Sequence, residues 1–120
     1  MLKKMPGVRL TENQKIYLIR IGKNKDIIKI QFYRSLPQHD LHTYFTAAIS
    51  KCFSNKFYKI IVDMTNVDEP TTKFIATLIE ATAKVRTKKG DVKIINLTHQ
   101  AKQILLSFNA YSYLSVPRSE

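Results

Sequence analysis

The sequence has only one cysteine, three glycines and nine acidic residues among its 120 positions. The single cysteine, Cys52, excludes an internal disulfide and a metal site built from cysteines, and it fits a reducing compartment. The glycines Gly7, Gly22 and Gly90 are isolated from one another, which excludes a glycine-rich phosphate-binding loop of the P-loop type. No apolar run approaches membrane-spanning length. We therefore expect a cytoplasmic protein without membrane insertion.

The chain does contain an ordinary apolar content and a large excess of positive charge. Hydrophobic residues make up 44% of the sequence, which is enough for one compact domain with its own core. Twenty Lys and Arg against nine Asp and Glu give a formal charge of +11, which indicates an acidic partner or high solubility. Because the lysines are mostly scattered along the sequence and the aromatic residues fall on predicted core stripes, a solvated surface is preferred to a nucleic-acid site.

Hydrophobic periodicity predicts an N-terminal hairpin followed by alternating helices and strands. The apolar run 58–64 is typical of a central strand covered on both faces. Strands that alternate with helices pair in parallel through right-handed crossovers. The fold class is therefore α/β, a single domain with a four- to five-stranded mixed sheet and helices mainly on one face. The predicted strands are 15–21, 26–33, 58–64, 92–97 and 111–116, and the predicted helices are 37–53, 71–89 and 98–108.

Local signals give the expected boundaries of these elements. Ser35 with Gln38 is predicted to cap the first helix, Thr98 the last one, and Asn109 suits a left-handed C-terminal position. Gly90 is predicted to end the second helix. Residues 1–14 are expected to be an extension or an edge strand, 15–116 the domain and 117–120 a tail. The predicted core consists of Ile28, Ile30, Leu41, Phe45, Ile49, Ile61, Leu78, Ile79, Ile94, Leu105 and Phe108.

Histidine and cysteine offer little chemistry in this sequence. His39 and His42 are one helical turn apart, but a metal site would need Asp40 or a distant carboxylate as a third ligand. Cys52 lies on the apolar stripe of its helix, which favours a small buried hydrophobic residue over a nucleophile. No base, nucleophile and orienting group occur at credible spacing. We expect no enzymatic activity, no metal and no cofactor.

The segment from Asp63 to Phe74 is the most informative for function. It runs from the carboxyl end of a central parallel strand, through a loop, into the start of a helix, where open α/β sheets place their functional residues. Thr71 or Thr72 would lie at the helix N-terminus, where free backbone N–H groups and the helix dipole accommodate a phosphate. The alternative is that Thr71 is merely an N-cap.

From residue 59 to residue 110 the chain resembles a STAS domain, the family of bacterial anti-sigma factor antagonists and sulphate-transporter tails. The resemblance rests on the strand 59–64, the helix from Thr71, Gly90 and Asp91 before the next strand, and Thr98 before the last helix. The upstream hairpin and helix occur in the expected order. The family's phosphoacceptor loop reads Asp, Ser, Ser or Thr, Gly, and the corresponding residues are Thr71, Thr72, Lys73 and Phe74. The acidic residue and the glycine are therefore replaced here.

The resemblance implies a non-enzymatic domain that switches protein partners when Thr72, or else Thr71, is phosphorylated. The implied partner is a serine/threonine kinase-type anti-sigma factor or another STAS protein, and a homo-oligomer is compatible with this role. A second hypothesis is a scaffold module that is never phosphorylated. A third hypothesis is a basic surface that binds an acidic ligand or nucleic acid. The implied partner-binding residues are Asp68, Glu69, Thr71, Thr72, Lys73 and Ala76.

Overall fold

A computed structural model describes Val8, Arg9 and residues 16–117 of the chain. Five strands and three helices follow one another, and a short 3₁₀ turn at Gln38–Asp40 precedes the first helix. Apart from the first strand, the predicted extension 1–14 lies outside the described residues, as does most of the predicted tail. The elements are β1 (Val8–Arg9), β2 (Ile16–Ile21), β3 (Ile27–Phe32), α1 (Leu41–Ser54), β4 (Lys59–Asp63), α2 (Thr72–Arg86), β5 (Asp91–Ile95) and α3 (His99–Ser107).

The strands form one mixed sheet in the order β1-β2-β3-β4-β5. The pairs β1–β2 and β2–β3 are antiparallel, whereas β3–β4 and β4–β5 are parallel. Helix α1 connects β3 to β4 and helix α2 connects β4 to β5, as parallel pairing requires. The α/β class, the mixed sheet and the N-terminal hairpin predicted from the sequence are confirmed.

The helices cover one face of the sheet only. On that face Ile28, Ile30, Ile60, Val62 and Ile94 are no more than 1% exposed, and they belong to one hydrophobic cluster with residues of all three helices. The prediction that residues 58–64 are covered on both faces is therefore wrong.

Ile61 shows why the two-sided prediction fails. It lies on the open face, half-buried, and pairs with Lys29 on one side and with Lys93 on the other. The aliphatic stems of lysines shield apolar neighbours while their charges stay in water. An apolar residue is thus tolerated in β4 without a second layer of helices.

The predicted core is confirmed at eight positions and fails at three. Ile61 and Ile79 are half-buried, and Phe108 is 47% exposed. Helix α3 ends at Ser107, and Asn109 takes the predicted left-handed conformation with φ 57°. The chain therefore turns away before Phe108 reaches the core.

Three phenylalanines join α1 and α2 to the sheet. The ring centroids of Phe32, Phe45 and Phe74 are 5.5–6.3 Å apart in pairs, and two of the three pairs meet edge to face. Edge-to-face pairs are a favourable arrangement of aromatic quadrupoles. This cluster fixes the position of α2 beneath the end of β3.

Gly90 has a different role from the one predicted. Lys89 takes the left-handed conformation after α2, with φ 65°. A Cβ atom on Gly90 would lie 1.9 Å from the carbonyl oxygen of Tyr58. Glycine is therefore required here for the close approach of two chain connections.

The predicted strand 111–116 is wrong. The amide groups of Tyr113 and Leu114 donate to the carbonyl of Ala110, so the backbone forms a local turn. Within residues 111–117, only Ser115 joins the sheet, through a single parallel bridge to Lys93. The segment packs against the edge of β5 without extending the sheet.

Cys52 is a core residue of α1. The thiol of Cys52 is fully buried, and burial raises its pKa to about 12, so it stays protonated at neutral pH. This confirms its interpretation as a small core residue.

Over the part of the chain that the structure describes, no helix has the length and apolar character needed to cross a membrane.

The one-sided sheet leads to a matched test on two neighbouring isoleucines. Ile60→Ala should lower the free energy of unfolding by about 2–5 kcal/mol because it leaves a cavity under the helices. Ile61→Ala should cost about 1 kcal/mol or less, since that side chain is already partly hydrated. Urea titration of both variants measures the difference. Equal losses for the two variants would contradict the assignment of the faces.

Candidate functional site

The carboxyl ends of β3, β4 and β5 meet at one end of the sheet, which we call the loop end. It comprises the loops 33–37, 64–71 and 96–98, together with the first turns of α2 and α3. Helices α1 and α2 return the chain to the opposite end of the sheet before the next strand begins. All three parallel strands therefore end at the loop end. The predicted segment from Asp63 to Phe74 lies in the middle of this end.

Asp63, the last residue of β4, is the buried charge of the loop end. It is 5% exposed. Its Oδ1 accepts hydrogen bonds from the hydroxyl and the amide of Thr65, at 2.6 and 3.0 Å, and from Asn96 Nδ2 at 3.2 Å. Its Oδ2 accepts from Gln31 Nε2 at 3.0 Å and lies 3.9 Å from Lys29 Nζ. The carboxylate thereby joins the ends of three neighbouring strands.

These contacts determine the charge state of Asp63. Burial by itself raises the pKa of the carboxyl group, but hydrogen bonds from Thr65, Gln31 and Asn96 outweigh burial and hold the pKa below its usual value. Asp63 is therefore ionised at neutral pH and accepts from every neighbour. With both oxygens occupied, it is a structural anchor of the loop and not a free base.

The loop between β4 and α2 is held by a second set of polar side chains. Gln38 Oε1 accepts from the amides of Asp68 and Glu69, both at 3.1 Å, and Gln38 Nε2 donates to the carbonyl of Asn66 at 3.3 Å. Asn66 Nδ2 donates to the carbonyl of Phe32 at 2.9 Å. The predicted cap by Ser35 and Gln38 is thus wrong, because Gln38 binds the loop and the 3₁₀ turn has no side-chain cap.

Two shallow cavities of about 350 Å³ flank this loop and share Thr65 and Asn66 in their walls. The first lies against Asp63 and beside Tyr17 and Tyr33, whose ring centroids are 4.7 Å apart. The second lies between the loop and α3. The lining of the first is mainly apolar and that of the second mainly polar. Both are open, which suits a surface for a macromolecule better than an enclosed pocket for a small molecule.

Thr71 and Thr72 take different roles at the start of α2. Thr71 is the N-cap: its hydroxyl oxygen accepts from the amide of Phe74 at 3.1 Å. Thr72 is the first helical residue and is exposed, and its hydroxyl makes no hydrogen bond to another described residue. The structure thus places a free hydroxyl at the position that the family resemblance assigns to the phosphoacceptor.

The predicted partner-binding residues form one continuous strip of surface. Asp68 and Glu69 are exposed in the loop, and Lys73 and Ala76 are exposed on the first turns of α2 next to Thr72. Thr71 is half-buried beneath them. Glu69 Oε2 accepts from Gln100 Nε2 of α3 at 3.0 Å, which attaches the strip to the last helix.

Phe74 stands where the family has glycine, and it does not take part in this surface. Its side chain is 0% exposed within the aromatic cluster. The glycine of the family motif has therefore been replaced by a core residue. Its neighbour Lys73 is exposed.

The described residues do not bring the histidines into a metal-binding group. Among the residues that the structure describes, no three His, Cys, Asp or Glu side chains are grouped in a way that would hold a metal ion. His39 is 79% exposed in the 3₁₀ turn and contacts Asp40 at 3.4 Å.

Several residues of the site were not identified from the sequence. Gln31, Gln38, Asn66 and Asn96 hold Asp63 and its loop, although they come from four separate parts of the chain. Gln31, Asn66 and Asn96 share one signal, a polar side chain at or just beyond the end of an apolar strand, whereas Gln38 lies in the 3₁₀ turn that precedes α1. Periodicity does not assign partners to such residues, because their contacts depend on strand register.

Comparison with known proteins finds solved structures with a similar fold. No family model and no curated protein matches the chain. The NMR structure of the protein TM1081 has a TM-score of 0.68 and 10% identity, over 82% of this chain and 78% of that one. The crystal structure of the same protein, described as a candidate anti-sigma factor antagonist from Thermotoga maritima, has a TM-score of 0.69 and 10% identity, over 78% and 80%. The STAS-like fold expected from the resemblance is confirmed.

The buried carboxylate leads to a test by substitution and pH. Asp63→Asn should lower the free energy of unfolding at neutral pH by about 1–3 kcal/mol, because its amide would place a donor against Gln31 and Lys29. Since the pKa of Asp63 is lowered in the folded state, its contribution is present above the usual pKa of 3.8 and is lost as the pH falls through the folded value. The deficit of the variant should therefore shrink in acid.

Urea titrations between neutral pH and strong acid measure this deficit. Part of the acid sensitivity will remain in the variant. A hydrogen bond from Lys59 lowers the pKa of Asp26, and hydrogen bonds from Ser115 and Arg86 outweigh burial to lower that of Asp91. A deficit that stays constant across the pH range would show that the carboxylate charge is not what matters at position 63.

Proposed function

We propose that this chain is a non-enzymatic regulatory domain that binds another protein through its loop end, as an anti-sigma factor antagonist does, and that phosphorylation of Thr72 switches this binding. The observation that carries the proposal is the exposed, unpaired hydroxyl of Thr72 at the first position of α2. It lies beside a loop that polar contacts hold in one conformation. A partner would therefore meet a pre-organised surface with one modifiable group at its centre.

The start of α2 accommodates a phosphate without loss of the fold. The amides of Thr72 and Lys73 have no acceptor among the described residues, while the next amide is already capped by Thr71. Helix N-termini favour anions through such amides and through the dipole. A phosphate on Thr72 would leave the cap intact, whereas a phosphate on Thr71 would disturb the hydroxyl that forms it. This difference favours Thr72 as the phosphoacceptor.

The same phosphate would oppose a partner that docks on the strip. Asp68 and Glu69 already place negative charge beside Thr72, and the added dianion must lose its water when a partner covers it. Lys73 is exposed and offers partial compensation on one side. Binding to the unphosphorylated strip is therefore expected to be strong, and binding to the phosphorylated strip weak.

The proposed partner is a serine/threonine kinase-type anti-sigma factor or another STAS protein. Either would supply a surface that covers the first turns of α2, and the kinase would also modify Thr72. In this proposal the chain acts without cofactor or metal, in the cytoplasm.

A scaffold module is the second candidate. The replacement of the family's acidic residue and glycine by Thr71 and Phe74 favours it, because the sequence that a kinase would recognise is altered and Phe74 serves the core instead. In this case the strip would still bind a protein, but no modification would regulate the complex. Phosphosite mapping of the protein from its native cell distinguishes the two candidates.

Charge at position 72 gives the direct test of the switch. Thr72→Asp should weaken partner binding roughly ten- to hundred-fold, because the carboxylate must be desolvated beside like charges. Thr72→Ala should bind as the wild type does. The partner is obtained by affinity purification, identified and produced pure, and its affinity for each variant is measured by calorimetric titration.

Ser50→Asp is the matched control for the added charge. Ser50 is exposed on α1, away from the strip, so this variant should bind normally. All variants should unfold at the same denaturant concentration within error. Equal affinities for Thr72→Asp and the wild type, together with no phosphate on Thr71 or Thr72 in cells, would support the scaffold.

A further inference from the structure

The end of the sheet opposite to the loop end gathers cations from distant parts of the sequence. We call it the basic pole, and it comprises the β2–β3 turn, the end of α1 with its connection to β4, and the end of α2 with its connection to β5. Register places Ile27, Lys59 and Asp91 side by side at the start of the three parallel strands. The connections are in contact, since the amide of Asp91 donates to the carbonyl of Tyr58 at 3.0 Å.

Most of the positive charge at this pole has no counter-charge. Its two acidic residues are already paired: Asp26 with Lys59 at 3.0 Å, and Asp91 with Arg86 at 3.1 Å. The other lysines of the pole make no ion pair within the described residues, and all but Lys51 are exposed. These lysines are Lys23, Lys25, Lys51, Lys56, Lys84, Lys88 and Lys89.

Three of these lysines occupy backbone positions that disfavour lysine. Lys25, Lys56 and Lys89 have φ values of 56°, 63° and 65°, and each lies in one of the three connections of the pole. Glycine or asparagine adopts this left-handed conformation at lower cost. Lysine is therefore less favourable for backbone stability than glycine or asparagine at each of these three turns. All three lysines place an ammonium group at the same end of the molecule. Such local conflicts are expected at functional sites.

The kind of cation indicates a diffuse anionic partner. The cations without an ion pair are all lysines, which are flexible point charges and lack the planar fork that arginine uses to bind a phosphate in two places. Among them, Lys84 lies with its ammonium 4.8 Å from the centre of the Phe53 ring. The arginines near the pole are engaged in the fold: Arg20 Nε donates to the carbonyl of Lys25, and Arg86 binds Asp91, Ser115 and the carbonyl of Tyr113. A fixed recognition geometry for one phosphate is therefore absent from the described part of the pole.

Exposed apolar side chains lie along the segment that leads from the end of α3 to Arg86 at the pole. Helix α3 runs from the loop end towards the basic pole, and Leu106, Phe108 and Tyr113 follow one another as the chain reaches Arg86. They are 44%, 47% and 39% exposed and are the only large hydrophobic side chains that the described residues expose to this degree. The Tyr113 ring lies 4.8 Å from the Arg86 guanidinium.

We propose that the basic pole binds the surface of an anionic lipid bilayer peripherally. Lysines near such a surface are attracted by its negative potential, and neighbouring aromatic and aliphatic side chains enter the headgroup region. Nucleic acid also attracts lysines, but a binder of single strands uses aromatic rings for stacking among the cations, and a reader of duplexes inserts a helix or ribbon into a groove. The pole is built from turns and helix C-termini, so its described residues offer no helix or ribbon to insert into a groove. Of the two exposed rings near it, Tyr113 already lies against Arg86, which leaves no row of free rings for stacking.

The test uses the full chain with vesicles of phosphatidylcholine alone and of phosphatidylcholine mixed with phosphatidylserine. Co-sedimentation should show binding to the mixed vesicles only, and the binding should weaken as salt is raised. Lys56→Asn combined with Lys89→Asn removes two charges while asparagine keeps the left-handed conformation. This variant should fold at least as well as the wild type. It should bind the mixed vesicles roughly 25-fold more weakly, at about five-fold for each lysine near the surface.

Arg34→Gln combined with Lys102→Gln is the matched control. These cations are exposed in the loop 33–37 and on the first turn of α3, at the loop end and away from the pole. The control loses the same charge, and its binding should stay within about two-fold of the wild type because distant charges are screened. If the control weakens binding as much as the pole variant does, net charge alone is responsible and the proposal fails.

A duplex DNA probe at the same salt concentration separates the lipid surface from a nucleic acid. Phe108→Ser should reduce binding to mixed vesicles and leave the weak binding to DNA unchanged, since only the bilayer accepts an apolar side chain. Tighter binding to DNA than to mixed vesicles would overturn the proposal. So would equal binding to both kinds of vesicle, or no vesicle binding at low salt.

Discussion

The parallel pairing of β3, β4 and β5 is the constraint on which the other features of this molecule depend. Parallel neighbours need a crossover, so each strand begins at one end of the sheet and each connecting helix begins at the other. With α1 and α2 on the same face, strand carboxyl ends and helix N-termini meet at the loop end, while helix C-termini and strand starts meet at the basic pole. Anionic groups are favoured at the first of these ends and cations at the second. The charge separation of the fold follows this backbone arrangement.

Asp63 and Gln38 make the loop end a defined surface. A loop that leaves a sheet between two helices carries backbone groups that need partners. Gln38 satisfies two amides and one carbonyl, and Asp63 gathers donors from the neighbouring strands. The start of α2 is consequently fixed relative to α1 and α3 before any partner arrives. Under the proposed regulation, a phosphate on Thr72 would change the charge of this surface without changing its shape, so electrostatic repulsion would be the effective signal.

The sequence predicted well what depends on periodicity and poorly what depends on register. The hairpin, the three helices, the caps at Thr71 and Thr98 and the mixed sheet were recognised, because each leaves a local pattern. The predictions that Ile61 is a core residue and that residues 111–116 form a strand were wrong, because apolar content does not reveal how many layers cover a segment. Gln38 was assigned to a cap three residues away, whereas its partners lie about thirty residues further along the chain. The scattered lysines illustrate the same limit, since only the topology brings them to one pole.

Helix α2 separates the two surfaces that we propose. It has 15 residues, so the modifiable Thr72 and the lysines at its other end are about 21 Å apart along its axis. Charges at this distance are separated by more than two Debye lengths at physiological salt and interact weakly. A phosphate on Thr72 would therefore alter a protein contact at the loop end while leaving attraction at the basic pole nearly unchanged. The fold thus allows a domain that stays at an anionic surface through one end and exchanges its protein partner at the other.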